Sequence, residues 1–170
     1  MIVSELAAVL LAGGATGCAL GDLDRAPRRL WRLGMPPLFA LPASLLTQAN
    51  TIDGISLDLS WLSLVVVGWT LGAPRGRCIA VETDQIWGTV RTVRTGDGAL
   101  AAALLLAVAA LDALVAWLSP GIAALLPALR LGGAVAAGYL GGRAWMLILG
   151  AARTSHTALG VADAPVSGGD

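Results

Sequence analysis

The stretch that decides the fold is GALAAALLLAVAALDALVAWL, residues 98–118. It runs 21 residues with one charged side chain, Asp112. A helix needs about 20 apolar residues to cross roughly 30 Å of hydrocarbon. The segment therefore reads as a transmembrane helix, and the rest of the chain falls into register around it. Four further candidate spans cover residues 2–20, 33–48, 55–73 and 126–151, leaving 152–170 as a polar tail.

Composition agrees with this reading. Of 170 residues 56% are hydrophobic and only 13% are charged. Soluble domains are about one quarter charged. A chain this short has no single core large enough to hide so much apolar surface, so lipid is its natural solvent. The formal net charge is zero, which argues against nucleic acid as a partner. All eleven basic residues are arginine and lysine is absent, which suggests a GC-rich bacterial genome.

The connecting segments alternate in charge. Residues 22–32 carry Arg25, Arg28, Arg29 and Arg32, and residues 74–97 carry Arg75, Arg77, Arg91 and Arg94. The segment 49–57 has no basic residue, and the link after Leu118 has only Arg130. Cytoplasmic loops collect arginine. Five spans then place the N-terminus outside and the C-terminus in the cytoplasm of a bacterial inner-membrane protein. The expected fold is an all-α bundle of about five transmembrane helices. A short cytoplasmic β-hairpin, from the β-branched stretch Cys78–Val93, should join helices three and four.

The second span is the irregular one, with Pro36, Pro37 and Pro42. Proline removes a backbone donor, and in lipid the freed carbonyl needs another partner. Pro36 and Pro37 suit a helix start and Pro42 a kink; a re-entrant helix is the alternative. The first span lacks a basic leader, and Ala15-Thr16-Gly17-Cys18 lacks the leucine usual before a lipidated cysteine. It reads as a retained helix rather than a cleaved signal.

Glycines recur every four residues: Gly13, Gly17 and Gly21 on the first helix, Gly68 and Gly72 on the third, Gly138 and Gly142 on the fifth. Four residues are about one turn, so each set lines one face, where small side chains let helices approach closely. Helices one, three and five are expected to form a close-packed inner trio. A homodimer face is the alternative use of the same glycines.

Glu5 and Asp58 lie within about one turn of the outer ends of their spans; three charged residues lie deeper and are candidates for function. Asp112 sits six residues before the end of helix four, roughly 9 Å along the axis, and Arg130 enters helix five from the same side. They are expected to form a structural ion pair; a proton or substrate site is the sharper reading. Arg143 lies toward the inner end of helix five, too far along the axis to meet Asp112. Snorkelling to inner phosphates, capping of carbonyls freed by the prolines, or a phosphate or quinone headgroup site are its alternatives.

No catalytic constellation is evident. Cys18 and Cys78 are far apart and His156 lies in the tail, which disfavours a disulfide framework, a zinc site and a bis-histidine haem. There is no phosphate loop, G-x-S-x-G or H-E-x-x-H motif. No cofactor or metal is expected, although a bound lipid is compatible with the sequence.

Several short features have a common layout. Arg28, Arg29 and Arg32 precede a proline-marked helix. Trp61 to Gly72 form a glycine-ended helix followed by Arg75-Gly76-Arg77. Asp84 to Gly88 sit in a hairpin that leads to Gly96 and Gly98, and Gly142-Arg143 lies in the last helix. From Arg28 to Leu147 this layout resembles small bacterial membrane proteins related to the CcdC-like family. The resemblance implies the fold. The family's naming hints at cytochrome c biogenesis for some members, but this chain has neither paired cysteines nor a haem ligand to carry that chemistry.

The expected role is a non-catalytic accessory or assembly subunit, with membrane lipids and other integral membrane proteins, or a second copy, as partners. A transporter or channel component using Asp112, Arg130 and Arg143 is the first alternative. A membrane-embedded lipid or isoprenoid enzyme is the second.

Overall fold

A computed structural model describes residues 2–23, 26–49, 55–118 and 126–156. Its five helices are α1 (Ile2–Leu20), α2 (Met35–Ala49), α3 (Ile55–Cys78), α4 (Asp97–Leu118) and α5 (Leu126–Arg153). Three short strands accompany them: β1 (Arg28–Arg29), β2 (Val81–Asp84) and β3 (Thr89–Thr92). Among the described residues the protein is thus mostly helical, with five α-helices, the number expected. Of these, α1, α4 and α5 are long and apolar enough to cross a membrane.

The differences from expectation lie at the ends. The helix α3 runs through Pro74 to Cys78, where the sequence suggested an end at Ala73. The helix α5 has 28 residues, or roughly 42 Å, against about 30 Å of hydrocarbon. In α2, Pro36 and Pro37 occupy the first turn, where no helical N–H is required. Pro42 lies inside, and the next turn carries hydroxyls that donate back to the backbone: Ser44 Oγ to the Leu41 carbonyl at 2.9 Å and Thr47 Oγ1 to the Ser44 carbonyl at 2.7 Å. With 15 residues α2 spans only roughly 22 Å. A 3₁₀ turn, Leu30–Gly34, leads straight into it.

All three strands lie at one end of the bundle. They form an antiparallel sheet in the order β1-β3-β2, with Arg28 opposite Val90 and Thr83 opposite the same residue on the other side. The hairpin between β2 and β3 is the expected one. Its turn is closed by Asp84, whose Oδ1 accepts from the N–H groups of Ile86 (3.1 Å) and Trp87 (3.3 Å). Gly88 follows at φ 60°, a conformation that favours glycine. The strand β1 was not expected, nor was the stitch from the C-terminal segment: Thr83 bridges His156, and Gln85 N–H donates to His156 Nδ1 at 3.2 Å. The sheet thus joins the segment after α1, the segment after α3 and the residues after α5. Those three connections share one end, and the helices must alternate in direction.

The helix α5 is the hub. It packs most extensively on α3 and also against α2 and α4, while α1 packs on α2 and α4. The α3–α5 seam is made by glycine. A Cβ on Gly68 or Gly72 would collide with the carbonyls of Val135 and Tyr139, and one on Gly138 or Gly142 with those of Val65 and Trp69. Partner numbers rise in step along both helices, so they run parallel. This corrects the expected inner trio: Gly13 and Gly17 have nothing within 4 Å of a built Cβ, and Gly21 faces the Arg28 guanidinium instead of a helix. The helix α1 meets α4 through alanines and through Thr16, whose hydroxyl lies 3.1 Å from the Ala102 carbonyl. A second apolar cluster, built on Leu33, Ile79, Val90, Leu147 and Ala151, joins the sheet to the last turns of α5.

Candidate functional site

Where the bundle meets the sheet, the chain builds a layer of charge around Arg143. The preceding residue, Gly142, lies in the α3–α5 seam. Arg143 itself meets the ends of α1 and α4 and is 4% exposed. Its Nη1 donates to Asp22 Oδ2 at 2.9 Å and its Nη2 to Thr95 Oγ1 at 2.8 Å, while Nε lies 3.2 Å from Asp97 Oδ2. Asp97 Oδ2 also accepts from the Tyr139 hydroxyl at 2.7 Å and lies 3.5 Å from Arg75 Nε. Arg28 approaches the other oxygen of Asp22 at 3.9 Å. Three guanidinium groups thus surround two carboxylates.

The local sequence makes this possible. Gly98 leaves room at the start of α4, where a Cβ would stand 3.0 Å from Arg143 Nη1. Asp97 occupies the first turn of α4, where the positive end of the helix favours a carboxylate. Asp22 sits in a 3₁₀ turn, Gly21–Leu23, that ends α1.

The snorkelling expected of Arg143 is overturned, because its guanidinium is spent on Asp22, Asp97 and Thr95. Counting inward from the end of α5 is misleading. The last turns of that helix, with Leu147 and Ala151, pack beside the sheet, so Arg143 lies near the edge of the bundle rather than at depth. Sequence reasoning missed Asp22, Thr95 and Asp97 as its partners, and Tyr139 as a donor to Asp97. The available signal was that Asp22 follows one span and Asp97 opens another at the same end.

The other charged pair lies toward the opposite end. Arg130 Nε and Nη2 both reach Asp112 Oδ1, at 2.9 and 2.7 Å, with both side chains buried. This geometry joins α4 to α5 at a site remote from Arg143.

Beside the charged layer, between the end of α1 and the 3₁₀ turn before α2, lies a cavity of about 360 Å³. Gly17, Cys18 and Gly21 line it from α1, and Trp31, Arg32 and Met35 from the other side. Arg28 also lines it, its guanidinium seated over Gly21. The Arg32 guanidinium carbon stands 5.7 Å from the centre of the Trp31 ring, a cation–π approach.

Cys18 is partly exposed and Cys78 exposed, and both are free thiols. Among the described residues no group of three His, Cys, Asp or Glu side chains is placed to hold a metal. In comparisons with known proteins, no family model, no curated protein and no solved structure matches this chain.

Proposed function

We propose that this chain is a five-span protein of a bacterial cytoplasmic membrane, with its N-terminus outside and its sheet and C-terminus in the cytoplasm. Three helices of membrane-crossing length and the segregation of charge support that placement. Arg130 is the only arginine in a segment at the end remote from the sheet. The layout resemblance to CcdC-like proteins belongs to this proposal at the level of fold.

Within the membrane we propose a non-catalytic role, as an accessory or assembly subunit of a larger complex. The observation that carries this reading is how the three deeper charges, Asp112, Arg130 and Arg143, are used. Asp112 and Arg130 bind each other, and Arg143 is hydrogen-bonded to Asp22 and Thr95 and ion-paired with Asp97. A transport site holds its charges available for a substrate or proton, whereas these are engaged in holding helices together. The described cavity is lined by none of the three.

The test is purification of the tagged protein in a gentle detergent at native expression level, with mass spectrometry of what travels with it. Stoichiometric recovery of larger membrane proteins is the expected result. A lone monomer or homodimer would sink the subunit role and shift attention to transport through Asp112, Arg130 and Arg143.

A further inference from the structure

We propose that the cavity beside α1 binds one acidic phospholipid, its phosphate held by Arg28 and Arg32 and an acyl chain laid along Gly17 and Gly13. The inference concerns a ligand of this chain alone and holds whether or not a larger complex exists.

The first argument is charge. Among the described residues Arg32 has no ion pair, only the Trp31 ring, and Arg28 has only the 3.9 Å approach to Asp22. The one carboxylate lining the cavity, Asp22, is bonded to Arg143 at 2.9 Å. Two guanidinium groups therefore face the same space with most of their donors available. Arginine donors in a fork match phosphate oxygens two at a time. A headgroup carrying an ammonium would bring a like charge to Arg32, so an acidic headgroup is favoured over a zwitterionic one.

The second argument is shape. A free phosphate needs no apolar neighbour, yet this cavity opens beside the apolar face of α1 that no helix covers. On that face Leu10 is 67% and Leu20 51% exposed, with Gly13 and Gly17 between them. A Cβ at either glycine would meet nothing within 4 Å. Elsewhere in this bundle paired glycines accommodate a helix; here they leave a trough running away from the two arginines. Trp31, 56% exposed, suits the headgroup level. Gly21 completes the site, because any side chain there would displace the Arg28 guanidinium.

The test is native mass spectrometry of the full chain in micelles with equal amounts of phosphatidylglycerol and phosphatidylethanolamine. The wild-type chain should retain one phosphatidylglycerol in preference. Each arginine near an anionic group is expected to contribute about fivefold. Arg32→Gln should therefore reduce the preference about fivefold with a nearly unchanged thermal midpoint, since among the described residues that side chain meets only the exposed Trp31 ring. Arg32→Lys should restore part of it. Gly17→Leu, which fills the trough, should lower phosphatidylglycerol retention while soluble glycerol phosphate leaves the wild-type adduct intact. Equal retention of the two lipids, or no change in Arg32→Gln and Gly17→Leu, would overturn the site. Displacement of the lipid by millimolar glycerol phosphate would overturn the lipid assignment in favour of a soluble anion.

Discussion

Arg143 bonds to carboxylates from the ends of two different helices, and its removal tests how much that joint matters. Arg143→Met would leave Asp22 and Asp97 without their shared counter-charge. The loss should be about 3 kcal/mol, read as a lower unfolding midpoint in detergent. Arg143→Lys should lose less but not nothing, because an ammonium does not fork to three acceptors in a fixed plane. The pair at the other end allows a cleaner measurement. Asp112→Leu and Arg130→Met should each cost about 3 kcal/mol, whereas the double variant should lie close to wild type. Additive losses would mean that the two residues do not act as a pair. At this scale the Asp112–Arg130 contact was legible, because both residues sit near the same ends of consecutive helices. The partners of Arg143 were not. Its depth was counted from a helix end assumed to coincide with the membrane surface, and α5 extends beyond the bundle to brace the sheet.

The elements are joined by absence of side chain as much as by side chain. In the α3–α5 seam the glycines admit backbone carbonyls directly, so Gly72→Val or Gly138→Val must push two helices apart. Each should cost more than about 2 kcal/mol and reduce the yield of folded protein. Gly13→Val, on a face that meets no helix, should change stability by no more than about 0.5 kcal/mol. A seam built instead on α1 would invert that order. The four-residue glycine spacing was visible on three helices, but spacing alone does not say which faces meet. The choice depends on register: Gly68, Gly72 and Gly76 meet Val135, Tyr139 and Arg143 in sequence. The hairpin was legible from its β-branched alternation. The strand β1, only Arg28 and Arg29, has no pattern from which to read it. It exists because β3 has a free edge above it.

For the whole molecule, the sheet marks one end of the bundle. It gathers the segments after α1, α3 and α5 at one end, in agreement with the charge alternation that predicted five passes. The exposed thiol of Cys78, at the end of α3, provides a direct probe. In a Cys18→Ser background, a membrane-impermeant maleimide should leave intact cells unlabelled and should label inverted vesicles. Labelling of intact cells would reverse the orientation. The grouping of these connections at one end was legible because it depends on a count of arginines per segment, which survives errors in helix boundaries of a few residues. The packing arrangement was not, because alanine and glycine faces look alike in sequence and differ only in what meets them.

The position of α5 also orders events in time. It leaves the ribosome last, yet it is the helix on which α2, α3 and α4 all pack. The glycine face of α3 is therefore made before its match, and the salt links of Asp22, Asp97 and Asp112 are incomplete until Arg130 and Arg143 are synthesised. Before α5 is made, α1 already has its neighbours α2 and α4, whereas α3 lacks its main partner. That face of α3 stays uncovered until the fifth helix arrives. Maturation is then a single late step, closed by the stitching of His156 to the sheet.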